Sequence, residues 1–299
     1  MQTGILDAVP AQARHLFFNL APYAEAAAVR AALAALGAAA NGHDIVAGIG
    51  APTAAMLNAR VVGLRSFPPL HTAGDAAIFI PSTQTALWCW LRADGQAGAG
   101  DLLHRGRQLE RLLAPAFVLD QALDVFRHGS GRDLTGYEDG TENPQGDAAL
   151  AAAFVQGAGA GLDSGSFAAF QQWQHDFTAF DAMPAAAQDD AIGRRKSDNE
   201  ELDDAPASAH VKRTAQESFD PEAFVLRRSM PWVEGARAGL AFLAFGHSLD
   251  AFEVQLRRMA GLEDGIVDAL LQFSQPVTGA YFWCPPVRDG KLDLCALGL

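Results

Sequence analysis

Apolar residues fall in short blocks along this chain, and their period switches between that of a strand and that of a helix. His15-Leu16-Phe17-Phe18-Asn19-Leu20 is a short apolar block that reads as a buried strand. The alanine-rich run Tyr23 to Ala40 predicts a helix, ended by Asn41-Gly42. Asp44 to Gly50 predicts a second strand and Ala76 to Pro81 a third. Thr83 to Ala114 reads as mostly helical with a break at Gly95–Gly100, and Phe117 to Phe126 as a fourth strand. The order then recurs. Ser166 to Phe177 alternates and puts Phe167, Ala169, Gln171, Trp173, His175 and Phe177 on one face. Thr178 to Leu202 starts helical and turns charged and irregular. Ala223 to Met230 and Leu240 to Gly246 predict strands. Asp250 with Glu253 reads as a capping box ahead of Phe252, Leu256 and Met259 at helical spacing, and Ala280 to Cys284 as a last strand. The expected fold is therefore α+β, with duplicated ferredoxin-like units of two βαββαβ halves, 1–144 and 145–299, and antiparallel sheets. No sequence repeat is visible, so the duplication rests on pattern alone.

Composition narrows the functional classes. The chain has 299 residues, enough for one large domain or two ordinary ones, and 49 % hydrophobic content supports a substantial core. With 22 basic against 35 acidic residues the net charge is −13, which argues against a nucleic-acid footprint. Cys89, Cys284 and Cys295 are odd in number and widely spaced, with no zinc spacing, so a reduced, cytoplasmic setting fits. Met1 to Leu20 carries Asp7, Pro10 and Arg14 rather than a basic and then apolar leader. No run reaches the length of a membrane span, so no membrane partner is expected. Lys291 to Leu299 leaves no room for an appended cargo tail.

The most specific stretch is Gly136-Tyr137-Glu138-Asp139-Gly140-Thr141-Glu142-Asn143-Pro144. Two glycines bracket one aspartate, and glycine permits positive φ and a close approach of backbone to a ligand. Asp, Thr and Asn satisfy backbone groups in turns. Such a loop can hold one carboxylate over something flat, although GxxDG alone would more often be a surface turn. Of the eight histidines, His15, His43, His71, His104, His128 and His175 have no partner that the sequence names. His210 differs. It lies in Ser208-Ala209-His210-Val211-Lys212-Arg213-Thr214, and seventeen residues on stands Arg227 in Phe224-Val225-Leu226-Arg227-Arg228-Ser229-Met230-Pro231-Trp232.

The loop resembles the GxxDGTxNP signature of the dye-decolourising peroxidases, and the other two stretches look like that family's proximal-histidine and distal-arginine motifs. The three stand in the family's order, and the Arg-x-Ser pairing resembles the bacterial B-type subgroup. Tyr137 stands where the signature commonly has phenylalanine. The resemblance implies a haem b enclosed by the two halves, with His210 as the iron ligand, since neutral imidazole is a strong axial donor. It implies Asp268 as the carboxylate that orients the His210 ring, with Glu263 and Asp264 as rivals. Asp264 and Asp268 share one face if the segment is helical, or simply form a solvated acidic face. Asp139 would move the peroxide proton and Arg227 would stabilise charge as the O–O bond breaks. Ser229, on the same strand face, would hold a water between them. Arg228 alternates away and reads as a structural or propionate-pairing cation. Arg194 is a weaker propionate candidate, and Gly140 and Thr141 would stand beside the cofactor. The polar run from Arg194 to Pro206 is either a solvated loop or a cover over a cofactor edge.

The activity so implied is reduction of hydrogen peroxide through a ferryl intermediate, with one-electron oxidation of small organic donors such as dyes and phenols. Trp232, Trp173, Tyr137 and Tyr281 are the candidate relays to the surface for donors too bulky to enter, each equally at home in a core. The main rival is a haem-binding or haem-handling protein without turnover, for which Asp139 and Arg227 would be superfluous. A hydrolase using Asp139 with His210 would lack a nucleophile motif. A homo-oligomer is the default assembly.

Overall fold

A computed structural model describes residues 1–74, 77–93 and 95–299. The first half runs β1 (Gln12–Leu20), α1 (Ala26–Ala39), β2 (Ile45–Ile49), α2 (Ala51–Met56), a side hairpin of β3 (Leu70–His71) with β4 (Phe79–Ile80), then β5 (Leu87–Arg92), α3 (Ala99–Leu113) and β6 (Phe117–Phe126). Its sheet order is β6-β1-β5-β2, antiparallel throughout. After α4 (Gly146–Ala153) the second half runs β7 (Ser166–His175), α5 (Phe177–Ala182), α6 (Ala185–Ile192) and α7 (His210–Arg213). It continues with β8 (Leu226–Arg227), β9 (Met230–Glu234), β10 (Arg237–Gly246), α8 (Asp250–Met259), β11 (Ser274–Pro276) and β12 (Ala280–Cys284). Its order is β12-β7-β10-β8. In each half the main strands thus stand fourth, first, third, second, which is the ferredoxin-like order in duplicate.

The halves join edge to edge through a single residue pair, Trp283 of β12 opposite Ile49 of β2. Gly48 makes that join pack: a Cβ there would meet Phe282 at 2.7 Å and Trp88 at 2.9 Å. The inner faces of the two sheets share one core. Phe17 and Trp88 of the first half meet Phe170 and Phe282 of the second, with ring centroids 4.8 Å apart for Phe17–Phe170 and 5.6 Å for Trp88–Phe282. His15 is stacked between Trp88 and Trp90 and accepts a hydrogen bond from Trp88 Nε1 at 3.2 Å. Complete burial pushes its pKa down to about 3, so the ring is neutral. Among the described residues no helix is long and apolar enough to cross a membrane.

Several local expectations give way. The strand expected from Ala76 begins outside the described residues, and its remainder supplies β4, which pairs with β3 away from the main sheet. The third main strand is instead β5, inside the stretch that reads as helix from Thr83. Leu87 to Arg92 is buried on both faces, so it shows no alternation to mark it as a strand. Ala223–Met230 is broken after Arg227, so Arg227 and Ser229 do not share an unbroken strand face. α8 carries no capping box: Asp250 and Glu253 both bind Arg65, at 2.7 and 2.8 Å. The segment 264–268 is not helical, because Gly261 and Gly265 take φ of +71° and +80° and turn the chain. Asp268 instead caps a short 3-10 turn, Ala269–Gln272.

Candidate active site

The alternation of β7 decides where a cavity forms. Phe170 points into the inter-sheet core, while Gln171, Trp173 and His175 face the other way. Together with Leu240 and Phe242 of β10 and Phe252, Leu256 and Met259 of α8 they line a largely apolar space of about 870 Å³ that opens to solvent. His210, Asp139 and Arg227 all open onto it.

His210 opens α7, and its Nδ1 lies 2.8 Å from Oδ2 of Asp268. That carboxylate is fully buried, and its Oδ1 accepts from the backbone of Leu270. An ionised carboxylate only accepts, so the proton sits on Nδ1 and leaves Nε2 with its lone pair free to bind a metal. Asp264 makes a two-pronged pair with Arg213, at 2.8 Å for both contacts, which holds its carboxyl at about 2. Glu263 binds Arg258 at 3.0 Å. Neither reaches the His210 ring.

Asp139 and Arg227 come together from opposite ends of the motif set, with Oδ1 and Nη1 3.6 Å apart and each side chain about one fifth exposed. At that length the two form an ion pair looser than a hydrogen bond. Asn143 fixes the pairing. Its Oδ1 accepts from the Arg227 backbone N–H at 2.7 Å, and its Nδ2 donates to the Arg227 carbonyl at 3.0 Å. Gly140 allows this, with φ +77° and room for no Cβ, which would stand 2.7 Å from Asn143 Nδ2.

The remaining candidates divide. Ser229 lines an adjoining chamber of about 600 Å³ that also takes in Asp139, Gly140 and Arg227, and its buried hydroxyl has no hydrogen-bond partner among the described residues. Arg228 donates to the carbonyls of Ile5 and Leu6 and ties down the N-terminal segment; burial lowers its pKa to about 10. Arg194 lies between Glu142 at 2.5 Å and Glu201 at 3.1 Å, so its charge is already matched. Thr141 is exposed and accepts from Asn199. Arg194, Thr141 and the two glutamates line a third chamber of about 800 Å³ that also reaches His210 and Arg227. The polar run from Arg194 therefore borders the site.

Three contacts around the site, those of Asn143, Tyr137 and His175, escape a reading of the sequence. Asn143 carries a signal in its place within the loop motif. Tyr137 hydrogen-bonds Asp189 of α6 through its hydroxyl at 2.5 Å, and burial together with that carboxylate raises its pKa. His175 binds Asp133 and Ser274, 42 and 99 residues away, and no local pattern announces such a contact.

The donor set can be tested against a haem. Among the described residues no group of three or more His, Cys, Asp or Glu stands ready to hold a metal. An iron bound at His210 Nε2 would therefore have to bring most of its own ligands, as a porphyrin does. The lining beside that nitrogen, with Trp173, Leu240, Phe242, Phe252, Leu256 and Met259, has the apolar character that the face of such a group requires.

The family model described as Dyp-type peroxidase, C-terminal, matches residues 130–289. A dye-decolorizing peroxidase of Rhodococcus erythropolis is 34 % identical over 62 % of this chain and 60 % of its own length. One of Mycolicibacterium paratuberculosis is 31 % identical over 76 % of this chain and 64 % of its own. The matches thus span under two thirds of these curated relatives. Among solved structures, a dye-decolorizing protein from V. cholerae superposes with a TM-score of 0.80 at 27 % identity, covering 95 % of this chain and 96 % of that one. A Rhodococcus jostii DypB variant in complex with heme gives 0.80 at 27 % identity over 93 % and 94 %.

Proposed function

The chain belongs to the Dyp-type peroxidase family, and on that premise we propose that it is a haem b peroxidase that reduces hydrogen peroxide and oxidises organic donors such as dyes and phenols. The observation that carries this reading is that Asp139 and Arg227 open onto the same cavity as the free nitrogen of His210. A protein that only bound or handed on haem would need the histidine alone.

A haem bound at His210 would supply the iron that takes oxidising equivalents from peroxide and passes them to donors one at a time. The chain's own residues do the rest. Asp268 holds the His210 proton on Nδ1 and makes the ring a stronger donor. Asp139 accepts the proton that peroxide must lose and can return it to the departing oxygen. Arg227 stays cationic and meets the negative charge that grows as the O–O bond stretches. Ser229, with an unpartnered hydroxyl in the adjoining chamber, supports a water between that chamber and the pair. Arg194, with both glutamates around it, is better suited to shape the cavity mouth than to take a propionate. Gly140 serves by letting Asn143 reach Arg227, and Thr141 borders the third chamber.

The test is direct. The purified protein is expected to show a Soret band and a pyridine haemochrome spectrum of haem b, and His210→Ala is expected to purify with little haem. Full haem retention with an unchanged Soret band in that variant would overturn the ligand assignment. Native protein that binds haem but does not react with peroxide would favour the haem-handling reading.

A further inference from the structure

A second hydrogen-bonded system stands on the cavity wall, and the roles above do not use it. His175, 8 % exposed on β7, places Nε2 3.0 Å from Asp133 Oδ2 and Nδ1 2.7 Å from the hydroxyl of Ser274, which faces it across the β11–β7 pair. Asp133 lies six residues before Asp139 and organises the turn between them. Its Oδ1 accepts from the backbone N–H and the hydroxyl of Thr135, at 2.8 and 2.5 Å. Its own N–H donates to the Tyr137 carbonyl at 2.8 Å, and its carbonyl accepts from Gly136 at 2.9 Å. Burial alone would raise the Asp133 pKa, but the bonds from His175 and Thr135 outweigh it and hold the carboxyl below its usual range. The aspartate is therefore a charged hub within the loop, and His175 fastens that hub to the central strand of the second half.

The loop is held beyond this point as well. Tyr137 fastens it to α6 through Asp189, and Asn143 fastens it to the backbone of Arg227. Asn143 fixes only the stretch after Asp139. Ahead of Asp139 the loop turns at Gly136, with φ +92°, and the hub holds that turn together with Tyr137 and with Arg132, which binds the Gly136 carbonyl and Glu138. The 3.6 Å separation of Asp139 from Arg227 is then a distance between two parts anchored separately, one of them through His175.

We propose that His175 and Asp133 are positioning residues that set where the Asp139 carboxylate stands relative to Arg227. This deepens the peroxidase reading, since it rests on Asp139 acting as the proton acceptor. A Ser274–His175–Asp133 set superficially resembles a hydrolytic triad, but Ser274 is 1 % exposed and sits in a strand pair rather than a nucleophile turn. The chemistry here is placement, not attack.

The test uses His175→Leu, which removes the donor, and His175→Gln, whose amide N–H can still reach Asp133. Asp133→Asn keeps one of the two accepting oxygens and drops the charge. A misplacement of about 1 Å costs up to about 10²-fold in rate. His175→Leu is therefore expected to slow the bimolecular reaction with hydrogen peroxide by tens of fold while the Soret band is kept. His175→Gln is expected to restore most of the rate, with Asp133→Asn between. In an Asp139→Ala background His175→Leu should cost nothing further, because a group that acts only through Asp139 has nothing left to place. Amide hydrogen exchange of residues 131–140, measured on haem-free protein, should quicken in His175→Leu while β12 stays protected. Unchanged exchange in the loop, or a His175→Leu penalty that persists in full without Asp139, would overturn the proposal. The exchange arm needs no peroxide chemistry. A native protein inert to peroxide thus fails the peroxidase reading, and a loop that exchanges alike in both proteins fails the tether.

Discussion

On the proposed peroxidase reading Asp139 and Arg227 would face the same bond and do different things to it, and their relative weight can be argued. Water can stand in for a missing proton acceptor more readily than for a fixed cation in a partly dry pocket. Removing a preorganised donor costs about 10²–10³ in rate and removing a general base about 10²–10⁴. Arg227→Leu is expected to slow the reaction with peroxide at least as much as Asp139→Ala, read by stopped-flow mixing. Asp139→Ala should also flatten the acid limb of the pH–rate profile, since the ionising group is gone. A far slower Asp139→Ala would make the carboxylate the indispensable partner. At this scale the sequence was most informative where residues lie within a motif: Asp139, His210 and Arg227 each stand in a recognisable stretch. It was silent on His175, whose partners come from a loop before it and a strand after it. It left Asp264 and Asp268 undecided, because the choice depends on Arg213 claiming Asp264.

Elements explain both the successes and the misses of the pattern. β6 and β12 begin and end where their apolar runs do. β5 does not announce itself, because a strand buried on both faces has no period to read. The turn carrying Asp268 looks helical only if its two positive-φ glycines are ignored. The signature loop and α6 meet through one hydroxyl, that of Tyr137, whose ring packs on Phe180 and Phe273. Of the four candidate relays, Tyr281 has no partner for its hydroxyl and Trp173 none for its ring N–H, while Trp232 donates to a carbonyl. Tyr137 alone hands its proton to a carboxylate, the acceptor a phenol needs when it loses an electron. Tyr137→Phe keeps the ring and its packing. It is expected to lower turnover of a bulky dye several-fold more than that of a small phenol, and to remove a tyrosyl signal from the electron paramagnetic resonance spectrum after peroxide is added. Equal losses for both donors would assign the effect to packing.

The molecule as a whole is held together by a core shared between its sheets, and that core contains one titratable ring. Folding lowers the His15 pKa to about 3, whereas an unfolded histidine titrates near 6.5. The unfolded chain therefore binds the proton first. His15 leaves stability untouched above about pH 6.5 and erodes it as pH falls from there toward 3, with a limiting slope of about 1.4 kcal/mol per pH unit. Unfolding followed from pH 7 to pH 4 should show a smaller acid loss in His15→Phe than in the native chain, even if the variant starts lower for want of a partner to Trp88 Nε1. Parallel curves would place the acid sensitivity elsewhere. The duplicated order was legible as a succession of elements, but the join was not, since a single pair between Ile49 and Trp283 leaves no trace in either strand. That join also sets a timetable. β12 is the last of the main strands to be synthesised, yet it stands between β2 and β7 in the sheet. On a ribosome the first half can close its own four strands early, but the halves cannot be stitched together, nor the cavity wall that runs through Ser274 be finished, until β11 and β12 have emerged. The cavity is then finished only after β11 and β12 are in place, not while the first half is still growing.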